Sequence, residues 1–347
     1  MNVLFLTLYP QNVASSRYRI HQWVPGLEEA GIKCEIRSAL SDDEYAALQG
    51  KWKRYHWLEA TRRRKQLNDV GDFDLVVLQK GITSPGLRGF WGQLRGRARK
   101  VIFDVDDAVH LRQPVQLGWP WKWCCDGGQI EKIMRESDVV WSGNRWLCEQ
   151  VKNIGGTPLY MPTCVDTSKF TENTNKLDDL VLGWMGNPST SGTLKIFSSI
   201  LNDSKQIPLR IVGSPDGFCP VPHATYHPWS LDSEVEEMTK ISVGLMPLEN
   251  NEWNRGKCAL KALLYMAVGI PCIASSYGVV NDIIDHKVNG LLVGNEKELG
   301  EALEYMRDRV VRATLGEAAR ETVVKKYSVS TWLPNMIQSL QEAGAAS

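Results

Sequence analysis

The chain has 347 residues, too many for one compact core, so two domains are the first expectation. Hydrophobic residues make up 43% and charged residues 23%, a balance that argues against a disordered or fibrous protein. Lys+Arg and Asp+Glu both total 40, so no global field draws the chain to nucleic acid.

The opening MNVLFLTLYP lacks a basic leader, and its apolar run is too short for a signal peptide or membrane span. It reads as a buried first strand, Val3–Leu8. Further strands are expected at Lys33–Arg37, Asp74–Gln79, Val101–Asp104, Asp138–Ser142 and Pro158–Met161. Helical segments fall between them, near 17–30, 43–66, 86–97, 128–136 and 144–153. A polar stretch, 167–179, lacks apolar periodicity and reads as a linker. Beyond it the alternation resumes, with strands at Val181–Met185, Leu209–Val212, Ala224–Tyr226, Ser242–Met246, Cys272–Ala274 and Gly290–Val293. After Gly294 the pattern turns helical, and a last helix begins near Val329.

Strand–helix alternation implies parallel strands joined by right-handed crossovers, so the fold class is α/β. The expected organisation is a first domain over 1–166, the linker 167–179, a second domain over 180–328, and a helix over 329–347 packing back on the first. Eight scattered cysteines suit free thiols in a reducing cytosol better than a disulfide framework.

The segment Arg255–Ser275, RGKCALKALLYMAVGIPCIAS, carries the sharpest signal. Gly256 is expected to open a helix that runs to about Val268, where Gly269 stops it and Pro271 leads into a strand. Leu260, Leu263, Leu264 and Ala267 follow the spacing of a buried stripe. Lys257 and Lys261 then lie one turn apart, where helix amides lack partners, an arrangement suited to a diphosphate. The alternative is two solvated surface charges.

Several segments in order, VLGWMGNPST (181–190), IVGSPDG (211–217), SVGLMPL (242–248), AVGIPCIAS, SSYGVVNDII (275–284) and NGLLV (289–293), resemble the GT-B glycosyltransferases, in particular their retaining group-1, family-4-like branch. YMPTCVDTSKF (160–170) is similar to that branch's interdomain junction. The resemblance implies two Rossmann-like domains facing a central cleft and a nucleotide-sugar donor bound by the second domain. By position it places Gly186, Asn187, Ser189 and Thr190 near the donor's phosphates, with Lys257, Cys258, Ala259 and Lys261 at the helix mouth. It puts Gly256 and Leu264 where the branch carries two glutamates. Leucine cannot bond a ribose, so Glu249, Glu252 or Asp282 is considered for that task, or nucleotide binding is weakened.

The branch's first glycine-rich loop is replaced by SSRYRIH (15–21), where Arg17 could meet a phosphate. The strand VIFDVDDAVH (101–110) ends in Asp104, Asp106, Asp107 and His110. Asp106 or Asp107 could orient or deprotonate an acceptor hydroxyl, and His110 could bond the donor sugar. The structural alternative is a helix cap or a carboxylate–arginine pair. No metal and no further cofactor is expected, the donor itself being the only small molecule required.

Lys51–Lys65 and Gly86–Lys100 interleave cations with aromatics, and Trp119, Trp121 and Trp123 follow. They suggest an anionic membrane surface or a phosphate-bearing, lipid-linked acceptor, against the plainer reading of solvated faces. The expectation is a cytoplasmic glycosyltransferase, peripheral at the inner face of the cell membrane. A nucleotide-sugar 2-epimerase and a non-catalytic carbohydrate- or nucleotide-binding protein are the competing readings. Phosphate-loop, dinucleotide-fingerprint and nucleophile-elbow motifs are missing, which weakens kinase, dehydrogenase and hydrolase readings.

Overall fold

A computed structural model describes residues 1–111, 121–173, 177–215, 217 and 221–345. The chain divides into two compact units, Met1–Thr163 with Trp332–Ser347, and Cys164–Thr331. Each is built on a six-stranded parallel sheet.

In the first unit the strands are β1 (Asn2–Thr7), β2 (Lys33–Ser38), β3 (Leu75–Gln79), β4 (Val101–Val105), β5 (Val139–Ser142) and β6 (Pro158–Tyr160). Their order is β2-β1-β3-β4-β5-β6, so the chain changes direction between β1 and β3. Continuous apolar runs explain the strands: β3 (LVVLQ) and β4 (VIFDV) are buried along their whole length, as a sheet covered on both faces requires. The last helix, Val329–Ala345, returns to this unit, where Trp141 donates its indole N–H to Ser339 at 2.7 Å.

The second unit contains β7 (Leu182–Met185), β8 (Leu209–Val212), β9 (Thr225–His227), β10 (Val243–Met246), β11 (Cys272–Ser275) and β12 (Gly290–Val293), in the order β12-β11-β10-β7-β8-β9. Here the reversal falls between β7 and β10. In open parallel sheets a ligand crevice forms outside the carboxyl ends of the strands at such a reversal. All twelve expected strands are present, with ends shifted by one residue or less.

The stretch 167–179 is not a free linker where it is described. Phe170 is 1% exposed, and Arg320 donates to the carbonyls of Thr167 (3.3 Å), Phe170 and Ala267. One aromatic residue among polar neighbours is enough to fasten this segment to the second unit. The first helical segment is also more broken than expected. It forms a helix over Ala14–Arg19, a 3-10 turn over His21–Trp23 and a helix over Val24–Glu29 that begins beside Pro25. The seven described cysteines carry free thiols.

One contact ties the second sheet to the helix that follows β10. The Tyr265 hydroxyl accepts the backbone N–H of Met185 at 2.8 Å, at the very end of β7. Its ring lies where a Cβ on Gly244 would stand, 2.2 Å away. Gly244→Ala should therefore cost about 1–3 kcal/mol of stability by forcing that ring aside. A denaturant midpoint equal to that of the wild-type chain would show that Tyr265 has room to move.

Candidate functional site

Past the end of β7 the chain turns at Gly186 and Asn187 into a one-turn helix, Pro188–Ser191. The Gly186 N–H donates to the Val212 carbonyl at 3.0 Å, which holds the turn against β8. A Cβ at Gly186 would come within 2.6 Å of the Trp184 ring and 2.7 Å of the Lys261 Nζ. Glycine is thus required where backbone, indole and ammonium crowd together. Thr190 donates its hydroxyl to the Asn187 carbonyl at 3.1 Å, and its Oγ1 accepts from Lys261 at 3.4 Å. Nothing is described of the Ser189 side chain.

Lys261 lies in the first turn of the helix Leu260–Ala267. Its ammonium stands 3.9 Å from the centroid of the Trp184 ring, a cation–π contact. Among the described residues it has no carboxylate partner. Burial first, and the Lys257 charge second, bring its pKa down to about 7. A partly buried ammonium that meets only a π-face and a hydroxyl is a site prepared for an anion.

The helix mouth differs from the sequence expectation. A one-turn helix, Glu252–Arg255, ends at Gly256, and the helix proper starts only at Leu260. Between them Ala259 adopts a left-handed conformation at φ 52°, unusual for a residue with a Cβ. That break moves Lys257 off the helix and into the loop, so it does not share a face with Leu264. Leu264 is 5% exposed and faces the core. No side chain caps the helix, which leaves its mouth open to a ligand that accepts hydrogen bonds. Cys258 is buried with its thiol directed to the Gly256 carbonyl at 3.8 Å, so only its backbone could face a donor.

Of the three carboxylates considered for a ribose, Glu249 lies three residues past the end of β10 and is exposed, with Asn251 donating to it at 3.1 Å. Glu252 is exposed in the short helix that follows. Asp282 is exposed in the helix Val280–Ile283, and its carbonyl accepts from Tyr327 at 3.4 Å. Lys195, the nearest basic residue after β7 in sequence, is exposed.

The first unit gathers its own charges at the β1/β3 reversal. Lys80 directly follows β3 in a left-handed conformation, φ 63°, and its ammonium reaches Asp107 at 2.6 Å and Asp106 at 3.1 Å. Burial opposes the Lys80 charge, but Asp106 and Asp107 outweigh it and hold its pKa above the ordinary lysine value. Burial in turn pushes the Asp106 carboxyl up, against the pull of Lys80. Sequence reading missed Lys80; its only signal was a lysine directly after a buried strand.

Asp104 is spoken for by the fold. It forms a buried ion pair with Arg19, which also donates to the Met161 carbonyl at 2.8 Å. Arg17 donates to the Asn12 carbonyl at 3.0 Å and stacks on Tyr18, closing the loop after β1. His110 packs beside Trp146, ring centroids 5.9 Å apart.

The two basic stretches separate. In 86–100, Phe90 and Trp91 are buried, and Arg88, Arg95, Arg97, Arg99 and Lys100 each bond a neighbouring carbonyl or acid. That stretch belongs to the fold. In 51–65 the outer face of one helix stays exposed. Trp119 lies outside the described residues, as do the side chains of Trp121 and Lys122, while Trp123 is exposed.

A bound diphosphate should restore the Lys261 charge. Free Lys261 loses its proton as pH rises through about 7, and the anion raises that pKa, so binding takes up a proton above pH 7. Titrating a nucleoside diphosphate by calorimetry at pH 8, in buffers of different ionisation heat, should show uptake approaching one proton. Lys261→Met should abolish the uptake. Equal uptake by both proteins would assign the proton elsewhere.

Residues 190–308 match the family model "Glycosyl transferases group 1". No curated protein sequence matches the chain. Among solved structures, Anabaena HepE in complex with UDP-glucose superposes at a TM-score of 0.71 with 13% identity, covering 99% of this chain and 100% of that one. Sucrose-phosphate synthase from Thermosynechococcus elongatus does so at 0.72 with 15% identity, covering both chains fully (100%). An alpha-glucosyltransferase in complex with UDP and a 13-mer DNA gives 0.64 with 12% identity, covering 98% of this chain and 99% of that one. At such identities the superpositions establish the fold, and the family model adds the kind of domain. The chain therefore has the GT-B fold, and its second unit carries a stretch, residues 190–308, that matches the group 1 glycosyl transferase domain.

Proposed function

We propose that the protein transfers a sugar from a nucleotide-sugar to a glycan precursor, lipid-linked or at the cell surface, with retention at the anomeric carbon. The observation that carries this reading is Lys261, an ammonium that meets no carboxylate among the described residues at the reversal point of the second sheet. Its charge, that of Lys257 and the open helix mouth would stabilise the growing negative charge on the leaving diphosphate. Preorganised groups of this kind contribute several kcal/mol in a site shielded from water. Gly186, Asn187, Ser189 and Thr190 would border the phosphates. Glu249, in the loop past the adjoining strand β10, would take the ribose in place of Leu264. UDP-glucose is the first donor to try, because HepE and the alpha-glucosyltransferase were solved with UDP-glucose and UDP respectively.

In the first unit, Asp106 or Asp107 would orient the acceptor hydroxyl and receive its proton, with Lys80 keeping the pair in place. Arg17 and His110 would serve the donor phosphate and sugar. Retention rests on the likeness of the second unit to the group 1 branch. Lys257 and Lys261 would supply the positive charge at the diphosphate that a metal supplies elsewhere. Action at the inner, anionic face of the cell membrane is supported by the exposed basic helix in 51–65 and fits a chain in which no described helix is long and apolar enough to cross a membrane.

Nucleotide release from a panel of UDP-, GDP-, ADP- and dTDP-sugars, followed with candidate acceptors, tests the reading. Turnover should persist in EDTA. Lys261→Ala should lower kcat/KM by about 10²–10³-fold while leaving the unfolding midpoint close to wild type, since the lysine satisfies no buried acid. Nucleotide binding without release across all acceptors would favour a binding protein instead. Proton NMR of the first-formed product would read the anomeric outcome, and an inverted centre would remove retention from the proposal.

A further inference from the structure

The helix Trp52–Gln66 is built inside out. Its buried residues are Tyr55, His56, Glu59 and Arg63, a polar row where a surface helix ordinarily turns an apolar one inward. Arg63 is fully buried and donates to the carbonyls of Thr7 at 2.6 Å, the last residue of β1, and Ile82 at 2.9 Å, just past β3. Glu59 accepts from the Ser84 N–H and hydroxyl, both at 2.8 Å. Leu58 and Ala60 pack inward beside that row, as the Tyr55 ring does, but the two largest apolar side chains lie outward: Trp57 is 61% exposed and Trp52 53%.

Around Trp57 the exposed neighbours at helical spacing are Lys53, Arg54, Thr61, Arg64 and Lys65. Glu59 is the one acid of the helix, and it points inward. The outer face therefore carries cations and indoles with no anion of its own. Its polar inner row fixes that orientation, because rolling the helix would leave Arg63 and Glu59 without partners. An indole with a wet edge flanked by lysine and arginine suits the boundary between water and acyl chains, and the cations suit anionic headgroups.

We propose that this face, and not 86–100, is the docking surface for an anionic phospholipid bilayer. The inference deepens the membrane part of the proposed function and is independent of the donor site. A bilayer is favoured over nucleic acid because two indoles project beside one short basic strip, and the chain as a whole carries no net charge. Nucleic acid is instead an outcome of the test.

The experiment is co-sedimentation of the full-length chain with phosphatidylcholine vesicles, with and without phosphatidylglycerol, across a salt series. Binding should require phosphatidylglycerol and fall as salt rises. Lys53→Gln and Arg54→Gln should each lower partitioning by about fivefold, and Trp52→Ser with Trp57→Ser should weaken the binding that survives salt. Lys297→Gln, on an exposed helix of the second unit, should change nothing. Nucleotide release with a soluble acceptor should be the same in all variants, which separates failure of this surface from failure of the transferase. Absence of vesicle binding at low salt would overturn the proposal. So would equal binding by the Lys53, Arg54 and tryptophan variants, or capture of a single-stranded oligonucleotide by this face with no capture of vesicles.

Discussion

An ammonium that meets no counter-ion among the described residues organises the second unit. Lys261 rests on the face of Trp184 and reaches Thr190, and burial makes its charge costly in the empty state. Several local choices exist to keep it there. Gly186 has no side chain because one would strike both Lys261 and Trp184. Tyr265 pins the end of β7, so the Gly186 turn cannot drift. Ala259 accepts a left-handed backbone so that the helix starts beside the lysine with its mouth uncapped. Each feature by itself lowers stability or gains little, which is the usual mark of a site shaped for a ligand.

The first unit solves the opposite problem. Lys80 there meets two carboxylates, and a left-handed turn after β3 carries it to them. Arg19 and Asp104 form a second, wholly buried pair nearby. Removing one partner of such a pair strands the other charge, so these groups hold the loops past β1, β3 and β4 in fixed positions. Arg63 does the same from the helix Trp52–Gln66, binding the backbone at the end of β1 and just past β3. Rigid loops at the carboxyl ends of strands are what a second substrate would need. The same inward polar row leaves two tryptophans on the outside of that helix.

Each basic stretch in the first half reads alike in sequence, with cations among aromatics. The fold separates them by their partners: in 86–100 every arginine finds a carbonyl or an acid, although Arg88, Arg97 and Arg99 are exposed. Helix Trp52–Gln66 lies at the surface, where Lys53, Arg54, Arg64 and Lys65 stay exposed. Sequence composition carries no information about that difference, since it depends on partners distant along the chain.

The α/β class and all twelve strands were legible from the sequence because strands buried on both faces, such as β3 and β4, are largely apolar, and the helical segments between such runs leave few places for the more polar strands β2 and β9. Gly186, Thr190 and Lys261 could be singled out from the sequence, and the structure brings the three together. Only the tertiary structure decided that Lys257 leaves the helix, because a left-handed alanine gives no local signal. It alone showed that Leu264 faces the core, that Lys80 completes the Asp106–Asp107 pair, and that Asp104 belongs to Arg19. These are contacts between residues far apart in sequence, where burial and charge are settled by what the rest of the chain brings alongside.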